Sequence, residues 1–114
     1  MNNIILFTPC VPVNQKYGVQ RGKMVLSKKY RDTKKALQQE MWALNSPNQP
    51  AEGDVAVNII FYFGNKRAND IDNCIKILLD AAEGILFLND SQVTSLQVFK
   101  EYDKEDPRIE ISVV

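Results

Sequence analysis

The 114-residue chain contains no histidine. That absence excludes imidazole general bases, Ser-His-Asp triads and histidine-ligated metals together. Ser27, Ser91 and Ser95 are left without a base partner, so serine nucleophilic catalysis has no support. Cysteine is nearly missing too. Cys10 and Cys74 are far apart and form no metal-ligand motif, so without a secretion signal the expectation is reduced thiols acting as packing residues. No apolar run approaches the roughly 20 residues that span a bilayer. The opening MNNIILFTP lacks a basic leader, a long apolar stretch and a small-residue cleavage site, unlike a signal peptide. These gaps point to a cytoplasmic protein with no membrane partner.

What is present is ordinary in amount and uneven in placement. Hydrophobic content of 45% and charged content of 25% are those of a globular domain, and the length suits one domain with a single modest core. The formal net charge is zero, but residues 1–50 hold eight Lys/Arg against Asp32 and Glu40, a balance of +6, and residues 51–114 carry the opposite −6. A basic half beside an acidic half suits a protein that grips a polyanion and holds cations nearby. Mutual neutralisation across the fold is the plainer account of the same pattern.

Asn3–Thr8 reads as a first strand ended by Pro9, and 9–20, with Pro9, Pro12, Asn14 and Gly18, as a loop. Lys23–Leu26 is a short strand or extended chain. Ser27 can cap a helix from about Lys28 to Leu44, with Tyr30, Leu37, Met41, Leu44 and Ala36 inward and Lys28, Arg31, Lys34, Lys35 and Gln38 outward. After the linker NSPNQPAEG, the alternation of Val55, Val57, Ile59, Phe61 and Phe63 with Ala56, Asn58, Ile60 and Tyr62 marks the clearest strand. A helix from about Asp72 to Glu83 buries Ile71, Ile75, Leu78, Leu79 and Ala82, and Gly84 is placed to end it. Val93–Tyr102 and Arg108–Val113 are two further strands. The order β-α-β-α-β-β predicts one α+β domain, a mixed sheet with two main helices packed on it.

Chemistry concentrates in Asn65–Val93. Asp70 and Asp72 open the second helix, Lys76 follows one turn inside, and Asp90 comes after it. Carboxylates that converge repel one another unless a cation lies between them, and an oxygen-only set suits magnesium or manganese. Asp72 is an N-cap candidate near the positive end of the helix dipole. Asp72, Lys76 and Asp80, spaced by four, form one polar stripe from which the lysine can reach a phosphate oxygen. Each acid also has a purely structural reading: Asp72 as a cap, Asp72–Lys76 as a surface pair, Asp90 as the turn residue of Asn89-Asp90-Ser91. A cap, however, does not call for a second carboxylate two residues upstream, and Lys66 and Arg67 add phosphate-binding groups beside the acids. Trp42 and Phe61 read as core residues. Tyr17, between Lys16 and Arg21, reads as a loop anchor that could also stack on a base.

The string basic–x–x–Asp–x–Asp–Asn–x–x–Lys–x–x–x–Asp–Ala…Gly…Asp–Ser–Gln–Val over 66–93 resembles the RusA family of prophage-type endodeoxyribonucleases, the Holliday junction resolvases. Pro9, Pro12, Asn14 and the basic stretch into the first helix extend the likeness over nearly the whole chain. The resemblance implies a RusA-like domain over residues 1–114, an α+β homodimer that binds four-way DNA junctions and makes paired symmetric cuts with Mg2+, for which Mn2+ substitutes. It requires no small-molecule cofactor. By position, Asp70, Asp72 and Asp90 become metal-binding carboxylates and Lys76 the catalytic lysine, while Asn73, Asp80 and Asn14 fall on family positions. One departure stands out: many relatives have two adjacent acids before Ser/Ala-Gln-Val, and here the first is Asn89.

The mechanism this implies is phosphodiester hydrolysis by metal-activated water, with Lys76 neutralising charge at phosphorus. Asn14, Lys16, Arg21, Lys23, Lys28, Lys66, Arg67 and Asn73 are the expected DNA contacts, joined by Lys29, Lys34 and Lys35 on the helix. Two other classes fit the same residues. One is a non-catalytic junction-binding or scaffolding protein, for which Asn89 is the hint. The other is a small nucleotide phosphohydrolase, which would not need so extended a basic grip.

Overall fold

In the computed structural model, residues 2–10, 17–20, 23–26, 28–65 and 71–114 are described, with side chains for all of these except 2, 17–20, 23–26, 72 and 73. The elements are β1 (Asn2–Leu6), β2 (Tyr17–Gln20), β3 (Lys23–Leu26), α1 (Lys28–Asn45), β4 (Val55–Phe63), α2 (Ile71–Ala82), β5 (Val93–Tyr102) and β6 (Arg108–Val113). A short 3-10 turn, Asp90–Gln92, precedes β5. The expected α+β domain with a mixed sheet is therefore present. Its four strands lie in the order β1-β6-β4-β5, while β2 and β3 form a separate antiparallel ribbon. That ribbon corrects the reading of 9–20 as all loop. Four residues containing Gly18 are too short to declare a strand by alternation.

β4 is the centre of the sheet. It pairs antiparallel with β6 and parallel with β5, and a parallel pair needs a crossover connection. Here α2 is that crossover. It begins after the C-terminal end of β4 and delivers the chain back to the level of Val55, which is in register with Val93 at the start of β5. The two ends of α2 consequently lie toward opposite ends of the β4 and β5 strands.

Burial along β4 alternates as expected, with Val55, Val57, Ile59 and Phe61 at 3% exposure or less. Ile4 and Leu6 of β1 and Ile109, Ile111 and Val113 of β6 continue the same face, covered by Tyr30, Leu37 and Met41 of α1 and by α2. Two corrections concern how the helices are rolled. On α1 the inward seam runs through Tyr30, Leu37 and Met41 to Asn45, not Leu44, which is 54% exposed. Asn45 is held there because its Nδ2 donates 3.0 Å to the Ile85 carbonyl beyond α2. The same roll turns Trp42 outward, at 67% exposure, so it is no core residue; Phe61 is.

On α2 the buried seam is Cys74, Ile77, Leu78, Ala81 and Ala82, with Ile71, Ile75 and Leu79 packed at its flank. Small side chains at 74, 81 and 82 line this buried seam. A covalent tie reinforces this orientation. Cys74 is disulfide-bonded to Cys10, their Cα atoms 5.6 Å apart. The expectation of two free thiols is overturned because 64 residues of sequence separation carry no information about spatial distance. Glu40 of α1 clamps the same segment by accepting hydrogen bonds from the Phe7 and Thr8 amides at 2.8 and 3.1 Å.

Gly84 terminates α2 as expected, at φ +82°. That left-handed conformation costs glycine little and other residues more. The turn that follows is closed by the Gly84 amide donating to the Phe87 carbonyl at 2.7 Å. No helix among the described residues is long and apolar enough to cross a membrane.

Candidate metal centre

The chain reverses between Ala82 and Asp90, and this reversal brings three acids together. Asp80 lies in the last turn of α2, Glu83 directly follows the helix and bridges to Phe87, and Asp90 returns beside them at the start of the 3-10 turn. One carboxylate oxygen from each lies within 4.8 Å of the others. Asp80 and Glu83 are half-buried and Asp90 is exposed, so the cluster opens to solvent on one side.

Asp80 is the most constrained of the three. Its Oδ1 lies 3.3 Å from Lys76 Nζ, one turn earlier on α2, and its Oδ2 accepts a hydrogen bond from the Tyr30 hydroxyl of α1. Glu83 is the most strained electrostatically. Burial pushes its carboxyl above the ordinary range, and the negative charges of Asp90 and Asp80, with a hydrogen bond to Asp90, push the same way. A cation among the three would reverse that pressure. The donor set is carboxylate oxygen alone, which fits a hard divalent ion such as magnesium or manganese.

Asp90 is free for such a role because its neighbour does the structural work. Asn89 caps the 3-10 turn, its Oδ1 accepting from the Ser91 amide at 2.9 Å. Gln92 completes a capping box, its Oε1 accepting from the Leu88 and Asn89 amides at 2.7 and 2.8 Å. Gln92 Nε2 then donates to the Ala51 and Gly53 carbonyls, pinning the turn to the approach of β4. The turn-residue reading of Asp90 thus belongs to Asn89. Asparagine caps as well as aspartate does.

The other residues singled out by sequence are distributed as follows. Lys76 is exposed on α2, paired with Asp80. Asp72 and Asn73 lie in the first turn of α2, with side chains outside the described set. Because the helix starts at Ile71, Asp72 is inside it rather than capping it. Asp72 and Asp80 are eight residues apart, about 12 Å along the axis, so the backbone sets Asp72 at the end of α2 remote from Asp90. Asp70, Lys66, Arg67, Asn14, Lys16, Arg21 and the proposed cap Ser27 lie outside the described residues, as does the side chain of Lys23. On α1, Lys28, Lys29, Arg31 and Lys35 are exposed and Lys34 is half-buried, so the basic face points to solvent as expected.

Sequence reasoning missed Glu83 and Tyr30. Glu83 carried a usable signal, since it follows Asp80 by three residues at the end of the helix. Tyr30 carried none, for it sits 50 residues from its partner.

The family model described as Endodeoxyribonuclease RusA matches residues 7–114. No curated protein matches the chain.

Proposed function

The chain belongs to the RusA endodeoxyribonuclease family, and from that membership and the acidic cluster we propose that it resolves four-way DNA junctions by paired, magnesium-dependent phosphodiester hydrolysis. The observation that carries the reading is the meeting of Asp80, Glu83 and Asp90 within 4.8 Å beside the Lys76 ammonium. These three carboxylates hold the divalent ion, magnesium or manganese. When bound, the ion supplies Lewis acidity that acidifies water and offsets charge at the phosphate. Lys76 stands at the rim and neutralises charge developing on phosphate oxygens. Asp70 and Asp72 take the metal-ligand role that the resemblance implies for them, apart from this ion; Asp72 lies in the first turn of α2.

Lys28, Lys29, Arg31 and Lys35 on α1 hold backbone phosphates, with Asn14, Lys16, Arg21, Lys23, Lys66, Arg67 and Asn73 extending the grip. Such contacts sense the shape of a branched duplex more than its bases, and they weaken steeply with salt. A two-fold dimer presents two equivalent centres to a junction of matching symmetry. A DNA substrate of this kind locates the protein in the cytoplasm. Asn89, the one hint of a scaffolding alternative, also caps the 3-10 turn.

Purified protein incubated with a synthetic four-way junction, linear duplex and dNTPs, with magnesium or EDTA, tests the proposal. Magnesium-dependent paired cuts in the junction alone are expected. Asp70→Asn, Asp72→Asn and Asp90→Asn should abolish cleavage and leave junction binding largely intact, and Lys76→Ala should cost rate more than binding. Binding without cleavage by the unmodified protein would overturn the reading.

A further inference from the structure

Tyr30 carries a side-chain hydrogen bond from α1 to the acidic cluster. Its side chain is 1% exposed, within a turn of helix flanked by the exposed Lys29 and Arg31. The hydroxyl donates to Asp80 Oδ2 across a sequence distance of 50 residues, while Lys76 engages Oδ1. Asp80 is therefore gripped on both oxygens by donors from two different helices, with a carboxylate oxygen of Glu83 and one of Asp90 within 4.8 Å.

We propose that Tyr30 is a positioning residue for the metal centre, fixing the Asp80 carboxylate in a metal-receiving orientation and tying that orientation to the seating of the basic helix α1. The inference rests on the reading of Asp80, Glu83 and Asp90 as a cation site. A free aspartate on a helix end must lose rotamer freedom when an ion binds; one already held by a buried hydroxyl has lost it on folding. Outer donors of this kind orient metal ligands, and their removal weakens metal binding by roughly 10–100-fold. The position also explains why a tyrosine, and not phenylalanine, fills a fully buried seam site: the ring packs the core and the hydroxyl emerges at the cluster.

The test uses Tyr30→Phe in the full chain, which keeps the ring and removes one oxygen. Mn2+ binding by calorimetry should weaken about tenfold, with the circular dichroism spectrum unchanged. In junction cleavage, the Mn2+ concentration for half-maximal rate should rise by a similar factor while the rate at saturating Mn2+ stays near that of the unmodified protein. A merely structural tyrosine would lower both or neither. An independent measurement needs no variant: the Tyr30 hydroxyl proton, slowed by burial, should shift in NMR spectra when Mg2+ is added, and should not shift in Asp90→Asn. If Tyr30→Phe binds Mn2+ within twofold of the unmodified protein, or the hydroxyl proton ignores Mg2+, the role of Tyr30 falls. An unmodified chain that binds Mn2+ and loses it in Asp90→Asn keeps the metal site even then. An unmodified chain that binds no Mn2+ overturns both.

Discussion

Reducing the Cys10–Cys74 bond should remove a large part of the stability of this fold. The bond closes a loop of 64 residues, and a cross-link of that span removes about 14 cal/mol/K of unfolded-chain entropy, about 4 kcal/mol at 25 °C. Small domains have only about 5–15 kcal/mol to lose. The cleanest perturbation is Cys10→Ser, because Cys10 is half-buried whereas Cys74 is 5% exposed and would carry a hydroxyl into the core. In urea titrations followed by far-ultraviolet circular dichroism, the oxidised protein should unfold later than the variant by roughly 2–3 M, taking a slope of about 1.5 kcal/mol/M. Dithiothreitol should bring the unmodified protein to the variant's midpoint and leave the variant unmoved. The reasoning is refuted if the oxidised protein gains less than about 1 kcal/mol, or if the variant also responds to the reductant. Cleavage measured on the two forms adds a functional reading, since Cys74 follows Asp72 by two residues and its tether fixes the roll of α2.

Glu83 sets a pH dependence of known sign. Its folded pKa lies above 4.5, so the folded state binds the extra proton, and metal-free protein should lose stability as pH rises from about 4.5 through the folded value. Glu83→Gln should remove that loss, seen as a flatter plot of melting temperature against pH in EDTA; an unchanged slope would show that Glu83 is not under strain. Asn89→Ala should destabilise by about 1 kcal/mol through loss of the cap, whereas Asn89→Asp should retain both stability and cleavage, as read by urea titration and junction assay. Phe61→Ala, in the centre of the sheet at 1% exposure, should cost about 3–5 kcal/mol by the same titration.

How far the sequence reaches depends on whether the determinant is local. The alternation in Val55–Phe63 and Arg108–Val113 settles those strands because each residue's facing is set by its parity. Helix positions were legible to within a turn, but the roll was not. On α1, the Asn45 bond to Ile85 selects the seam, and on α2 the small residues and Cys74 do, and both depend on partners 40 or more residues away. The site divides in the same way. Lys76 and Asp80 are related by helical spacing alone and Glu83 follows directly on the helix, whereas Asp90 joins them only because Gly84 and the Gln92 capping box fold the chain back. Tyr30 and the disulfide depend wholly on tertiary contact.

The distance along α2 between its two acidic ends makes a final prediction that the metal itself can report. Asp72 and Asp80 are separated by about 12 Å of helix rise, and the crossover topology puts the two ends of α2 toward opposite ends of the β4 and β5 strands. Even a pair of ions 3.5–4 Å apart spans only a fraction of that distance. An ion at Asp80, Glu83 and Asp90 should then be indifferent to Asp72 while cleavage is not. Calorimetry should show Asp72→Asn keeping the Mn2+ affinity of the Asp80–Glu83–Asp90 site, with Asp90→Asn and Asp80→Asn losing it by tenfold or more, although all three lose cleavage. Equal loss of Mn2+ binding in Asp72→Asn and Asp90→Asn would mean one shared ion. α2 could not then run unbroken from Ile71 to Ala82 within a single chain that supplies every ligand.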